Sequence, residues 1–169
     1  MPQAIIRTYS GRDFDVFNPN PDLIHIEDIA HALSYMPRFC GHTNEFCSVA
    51  RHSMLILEAV KKSGGSRRMQ LAALLHDASE AYLMDIPSPI KQHLPEYKTI
   101  ENRLMTVIAE KYGFDYPLHP LIHQFDKASC ELEFFRYMNG KRTSGSPVNH
   151  FEDQWEFQRR YDLLTFGNP

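Results

Sequence analysis

The stretch LAALLHDASEAY, Leu71 to Tyr82, decides the fold class of this chain. Leu71, Leu74, Leu75, Ala78 and Tyr82 recur at spacings of three and four, the pattern of one helix face packed on a core. Set into that run are His76 and Asp77, two polar side chains able to hold a metal ion. Ser66 is a good N-cap for the helix, and Pro87 and Pro89 stop or bend it.

Working outward, a first helix is predicted over Ile26 to Tyr35, with Ile29, Leu33 and Met36 at helical spacing and Pro37 as interruption. Thr43 is the expected cap of a second, whose apolar stripe runs from Phe46 through Val49, Ala50, Met54 and Leu57 to Val60. Lys61, Lys62 and Gly64-Gly65 supply its basic last turn and glycine stop. Further helices are predicted from Glu96 to Tyr112, closed by Gly113, and from His119 to Met138. NGKRTSGSP (139–147) is a loop, and 150–166 is a packing helix through Phe151, Trp155, Phe157, Tyr161 and Leu164. Residues 4–9 could form a short strand, whereas SGRDFDVFNPNPD (10–22) reads as loop. The expectation is one all-α domain over residues 1–169, a bundle of five or more helices.

Of the 169 residues, 43% are hydrophobic and 23% charged, enough apolar material for one globular core. The net charge of −3 argues against binding to duplex nucleic acid, which needs a concentrated basic face, but leaves room for a small anionic substrate. Cys40, Cys47 and Cys130 form neither a disulfide framework nor a C-x-x-C pair, and they fit free thiols in a reducing compartment. No secretion signal or membrane span is read, so a cytoplasmic protein is expected.

Neighbouring helical positions point about 100° apart. His76 and Asp77 can therefore share one ion only at a helix crossing, with further ligands from other helices. His52 stands at the edge of the second helix's apolar stripe. Asp126 stands beside Leu121, Ile122 and Phe125. A lone histidine beside an apolar stripe is usually a core residue, and an isolated His-Asp pair is weak evidence. The conjunction carries more, because His, His-Asp and Asp lie in order on separate predicted helices. Two imidazoles and two carboxylates suit Co, Mn, Zn, Mg or Fe rather than a closed structural zinc site, and leave positions for water and substrate.

This ordered pattern resembles the HD superfamily of metal-dependent phosphohydrolases. HDASEAYLMDIPSPIK (76–91) is similar to the signature of bacterial HD-domain 5′-deoxynucleotidases and of phage-type deoxynucleoside triphosphate hydrolases. RFCGHT (38–43), SVARHS (48–53) and FDKASCELE (125–133) continue the likeness over about residues 26–135. The resemblance implies an HD-domain helical bundle, with His52, His76, Asp77 and Asp126 as ligands of a divalent metal ion. It implies Glu80, four residues after His76, as a proton-handling residue. Asp85 would activate or orient water, or cap a helix. Arg38 and Lys91 would hold phosphate, in segments where packing does not need a cation. Phe39 stands where the family often has tryptophan near the nucleoside, and Gly41 would leave room beside the base. His42 is a phosphate contact, a supporting residue or a structural one.

The implied reaction is hydrolysis of a deoxynucleotide, either a monophosphate or a triphosphate, to release the deoxynucleoside. The implied partners are a small nucleotide substrate, no membrane, and a second copy of the chain in a homodimer or higher homo-oligomer. The alternatives are an HD phosphodiesterase or (p)ppGpp-type pyrophosphohydrolase, and a non-catalytic nucleotide-binding HD domain.

Overall fold

In the computed structural model, which describes residues 3–139 and 149–167, the segment after Ser10 is more ordered than a loop. Strands β1 (Ile5–Arg7) and β2 (Asp13–Asp15) pair antiparallel, with Ile6 opposite Phe14. The alternation Asp13-Phe14-Asp15-Val16 was a strand signal, masked by the surrounding Gly, Asn and Pro. A two-stranded hairpin is marginal alone. This one is held because Phe14 is fully buried with its ring 4.6 Å from that of Tyr82.

Helix α1 (Ile26–Tyr35) has the predicted bounds, and Met36 turns extended before Pro37. Helix α2 (Val49–Lys62) starts later than Thr43 suggested. Its cap is Ser48, whose Oγ accepts from Arg51 N at 3.0 Å. The reason is a clasp at the base of the intervening loop, where Arg38 N donates to Cys47 O and Val49 N to Met36 O, keeping 47–48 extended.

Ser66 caps α3 (Arg67–Leu74) as predicted, but the helix does not run on to Tyr82. Residues 75–79 wind into tighter turns, with Ala78 N donating to Leu75 O and Glu80 N to Asp77 O, before α4 (Glu80–Leu83) and α5 (Ser88–Lys91). Apolar spacing could not reveal the break. A tight turn stacks positions three apart, so Leu75 and Ala78 remain fully buried and Tyr82 nearly so.

Helices α6 (Pro95–Tyr112), closed by left-handed Gly113, and α7 (Pro120–Met138), capped by His119, keep close to their expected limits. The predicted 139–147 loop lies almost wholly outside the described residues. Helix α8 (His150–Thr165) buries Phe157 and Tyr161. Phe151 and Trp155, expected to pack, are 73% and 60% exposed. Trp155 is two residues and Phe151 six residues from Phe157, about 200° and 240° around the helix. Helices α1, α2, α3 and α8 surround a core including Ile29, Leu33, Ile56, Leu74 and Phe157. The architecture is an all-α bundle, with eight α-helices among the described residues. None of these helices is long and apolar enough to cross a membrane.

Candidate metal centre

The apolar stripe of α2 carries His52 into complete burial. Its Nδ1 lies 3.1 Å from Glu133 Oε1, and its Nε2 lies 3.0 Å from Asp126 Oδ1 and 3.9 Å from Asp77 Oδ2. His76, on the tight turn after α3, has Nδ1 2.8 Å from Ala73 O. Its Nε2 lies 3.1 Å from Asp77 Oδ2 and 4.0 Å from Asp126 Oδ1. Four side chains from three parts of the chain thus converge. Donor atoms of His52, His76 and Asp126 lie within 4.8 Å of one another and could hold a metal ion. Asp77 stands against both imidazoles.

The donor set fits a cation for a specific reason. A carbonyl oxygen only accepts, so the neutral His76 ring carries its hydrogen on Nδ1 and turns a bare Nε2 lone pair inward. That buried Nε2 has no aligned hydrogen-bond partner, although a carboxylate oxygen is 3.1 Å away. Two lone-pair donors face each other, and donors bonded to one ion at about 2.1 Å sit roughly 3.0 to 3.4 Å apart. Electrostatics point the same way. Burial disfavours the charged His52 ring, yet Asp126 and Glu133 outweigh it and push its pKa up to about 9. Burial also opposes charge on Asp77, but His76, His52 and Arg38 hold its carboxyl well below the usual range. These carboxylates draw a positive partner, so proton and metal compete for the site.

Glu80, Asp85 and Lys91 lie around this cluster. Glu80 opens α4 with its carboxylate buried, Oε1 3.5 Å from Lys91 Nζ and Oε2 without a hydrogen-bond partner. Burial, with Asp77 and Asp85 nearby, pushes its pKa well above the carboxylate range. Met84, at φ 70°, reverses the chain ahead of Asp85, whose pKa is raised by burial and by Asp77. Lys91 is bound more tightly by Glu101, at 2.7 Å.

Arg38 departs from the expectation of a cation free of packing. It is 8% exposed, with Nε 2.9 Å from Glu133 Oε2, an ion pair rather than an aligned hydrogen bond. Phe39, Cys40 and Gly41 follow in left-handed backbone, at φ 54°, 54° and 74°. Phe39 lies beside the Arg38 guanidinium and meets Phe134 edge-on at 6.1 Å, while Gly41 and His42 are exposed.

A cleft of about 650 Å³ opens beside the cluster. Its lining includes His76, Asp77, Asp126 and Lys91 together with Glu101, Asn102, Thr106, Tyr116 and His123. Arg38, Phe39, Gly41 and His42 are not among its lining residues. Glu101, Asn102 and Glu133 were not singled out from the sequence. Glu133 had a legible signal, for it stands seven residues after Asp126, two turns along the same face of α7. Glu101 and Asn102 gave none, because only the fold brings α6 to this cleft.

No model of a known protein family matches the chain. It is 44% identical over 110 residues to the uncharacterized protein YfdR of Escherichia coli, covering 65% of this chain and 59% of YfdR. It is 37% identical over 142 residues to an uncharacterized protein of Rhodobacter capsulatus, covering 79% of this chain and 72% of that one. It is 32% identical over 102 residues to the 5′-deoxynucleotidase VP0926 of Vibrio parahaemolyticus, covering 54% and 52%. The chain thus spans little more than half of YfdR and of the Vibrio protein.

Proposed function

The chain belongs to the family of the Rhodobacter capsulatus protein, and from that premise we propose that it is an HD-type, divalent-metal-dependent phosphohydrolase acting on deoxynucleotides. One observation carries this reading. Donor atoms of His52, His76 and Asp126 lie within 4.8 Å of one another beside an open cleft, with Asp77 against both imidazoles, and distant relatives are named 5′-deoxynucleotidase.

We assign His52, His76, Asp77 and Asp126 to one divalent ion from the set Co, Mn, Zn, Mg and Fe. When bound, the ion supplies Lewis-acid polarisation of a phosphoryl oxygen and offsets its charge. Arg38 and Lys91 bring positive charge to the same group, as phosphoryl transfer requires. Burial among like charges raises the Glu80 carboxyl well above the ordinary carboxylate range and so favours its protonated form, and Oε2 has no competing partner. Glu80 delivers that proton to the departing 5′ oxygen as water adds to phosphorus and the O5′–P bond breaks. Asp85 orients the attacking water and accepts its proton. The nucleoside occupies the cleft toward Asn102 and Tyr116, whose hydroxyl donates to Asn102 Oδ1 at 2.6 Å. Phe39, Gly41 and His42, on and just after the turn that follows Arg38, lie outside the lining of this cleft.

The test is a panel of dNMPs, dNTPs and ribonucleotides, assayed with Mn²⁺, Co²⁺, Mg²⁺ and Zn²⁺ for released nucleoside. Preferential release of deoxynucleoside, abolished by chelation and by Asp77→Ala, is expected. Nucleotide binding without hydrolysis under every metal would replace this reading with a binding domain.

A further inference from the structure

A buried carboxylate beside the metal centre has no part in that mechanism. Glu133 is 4% exposed, on the face of α7 that carries Asp126. Its two oxygens are divided between partners far apart in sequence. Oε1 lies 3.1 Å from Nδ1 of His52, and Oε2 lies 2.9 Å from Nε of Arg38. Arg38 itself is 8% exposed, on the strained turn that ends in three left-handed residues. One carboxylate therefore bridges a metal-ligand histidine and a cation assigned to phosphate.

We propose that Glu133 is a positioning residue that couples the metal centre to the phosphate-binding arginine. It accepts from His52 Nδ1, which leaves Nε2 as the inward lone pair and fixes the ring plane. It also holds the Arg38 guanidinium at a set distance from that ring. Ordering either partner orders the other, because both rest on one rigid, buried group. A carboxylate is required in this place. Both neighbours present N–H groups, so an amide of the same shape would set its NH₂ against one of them and remove the charge that both feel. Glu133 is assigned to neither the ion nor the phosphate, and its effect runs through His52 and Arg38.

This inference rests on the phosphohydrolase reading for the role of Arg38, and its test is chosen to separate the two. Mn²⁺ affinity, inorganic phosphate affinity in the presence of Mn²⁺, and melting temperature are measured for wild type, Glu133→Gln and Glu133→Asp. Glu133→Gln is expected to weaken Mn²⁺ binding by about 10- to 100-fold and phosphate binding by about tenfold, the usual range for losing a partner behind a ligand. Glu133→Asp, which keeps the charge with a shorter reach, is expected to recover part of both. In an Arg38→Ala background, Glu133→Gln should cost little further phosphate affinity while still weakening Mn²⁺. Wild-type affinities for both ions in Glu133→Gln, or in Glu133→Asp should the first not fold, would overturn the proposal. So would a loss of melting temperature alone. A wild type that takes Mn²⁺ and phosphate but hydrolyses no nucleotide would defeat the functional reading and leave this coupling intact. A wild type that binds neither ion would defeat both.

Discussion

Ser48 Oγ donates to Asp153 Oδ2 at 2.7 Å, joining the cap of α2 to the first turn of α8 across 105 residues of sequence. The same carboxylate receives Arg51 at 2.9 Å and is 4% exposed. It therefore fixes the start of the helix that carries His52. Asp153→Ala strands two polar partners at a buried junction and should lower unfolding free energy by about 2–4 kcal/mol. Denaturant titration checks this, and a loss below about 0.5 kcal/mol would show the junction to be dispensable.

In the proposed phosphohydrolase reading, Glu80 separates proton transfer from metal binding. Glu80→Gln keeps the shape of a buried side chain but cannot give up a proton as an acid. Turnover should fall by roughly 10²–10⁴-fold. Metal content should stay at the wild-type value on the same preparation. Metal and activity falling together would make Glu80 a ligand instead.

The cysteines should differ sharply toward alkylating reagents. Burial pushes the Cys47 thiol up to about 12, so little thiolate exists at neutral pH, whereas Cys40 is exposed on the left-handed turn. Mass spectrometry after brief native labelling should find Cys40 modified and Cys47 untouched. In denaturant both should react. Native modification of Cys47 at a similar rate would contradict its packing.

Glu156 gives a pH-dependent contribution of definite sign. Arg159, then Arg160, bond its carboxylate and hold its pKa down to about 2. A pKa lower in the folded than in the unfolded state adds stability above the unfolded value of about 4.3, lost as pH falls toward 2. The pair is partly solvated, so screening leaves about 0.5–1 kcal/mol. Glu156→Gln should be less stable than wild type by that amount at pH 7, and the gap should close on acidification. A gap that stays constant from pH 7 to 3 would exclude this origin.

Local order was readable wherever a single residue type dictates backbone geometry. Pro37 ends α1, Ser66 starts α3 and Gly113 ends α6, each through constraints that act over a few bonds. The convergence of His52, His76-Asp77 and Asp126 was also anticipated, since buried polar groups on separate amphipathic helices have one core to share. Tertiary structure decided the rest. The tight turn through His76 satisfies the same apolar spacing as a helix, so periodicity could not distinguish them. The cap of α2 passed from Thr43 to Ser48 because the pairing of 36–38 with 47–49 is not local. Arg38 read as a free cation because nothing near it in sequence is acidic. Its partner Glu133 lies on a helix that only packing brings alongside, and there burial turns a surface charge into half of an ion pair.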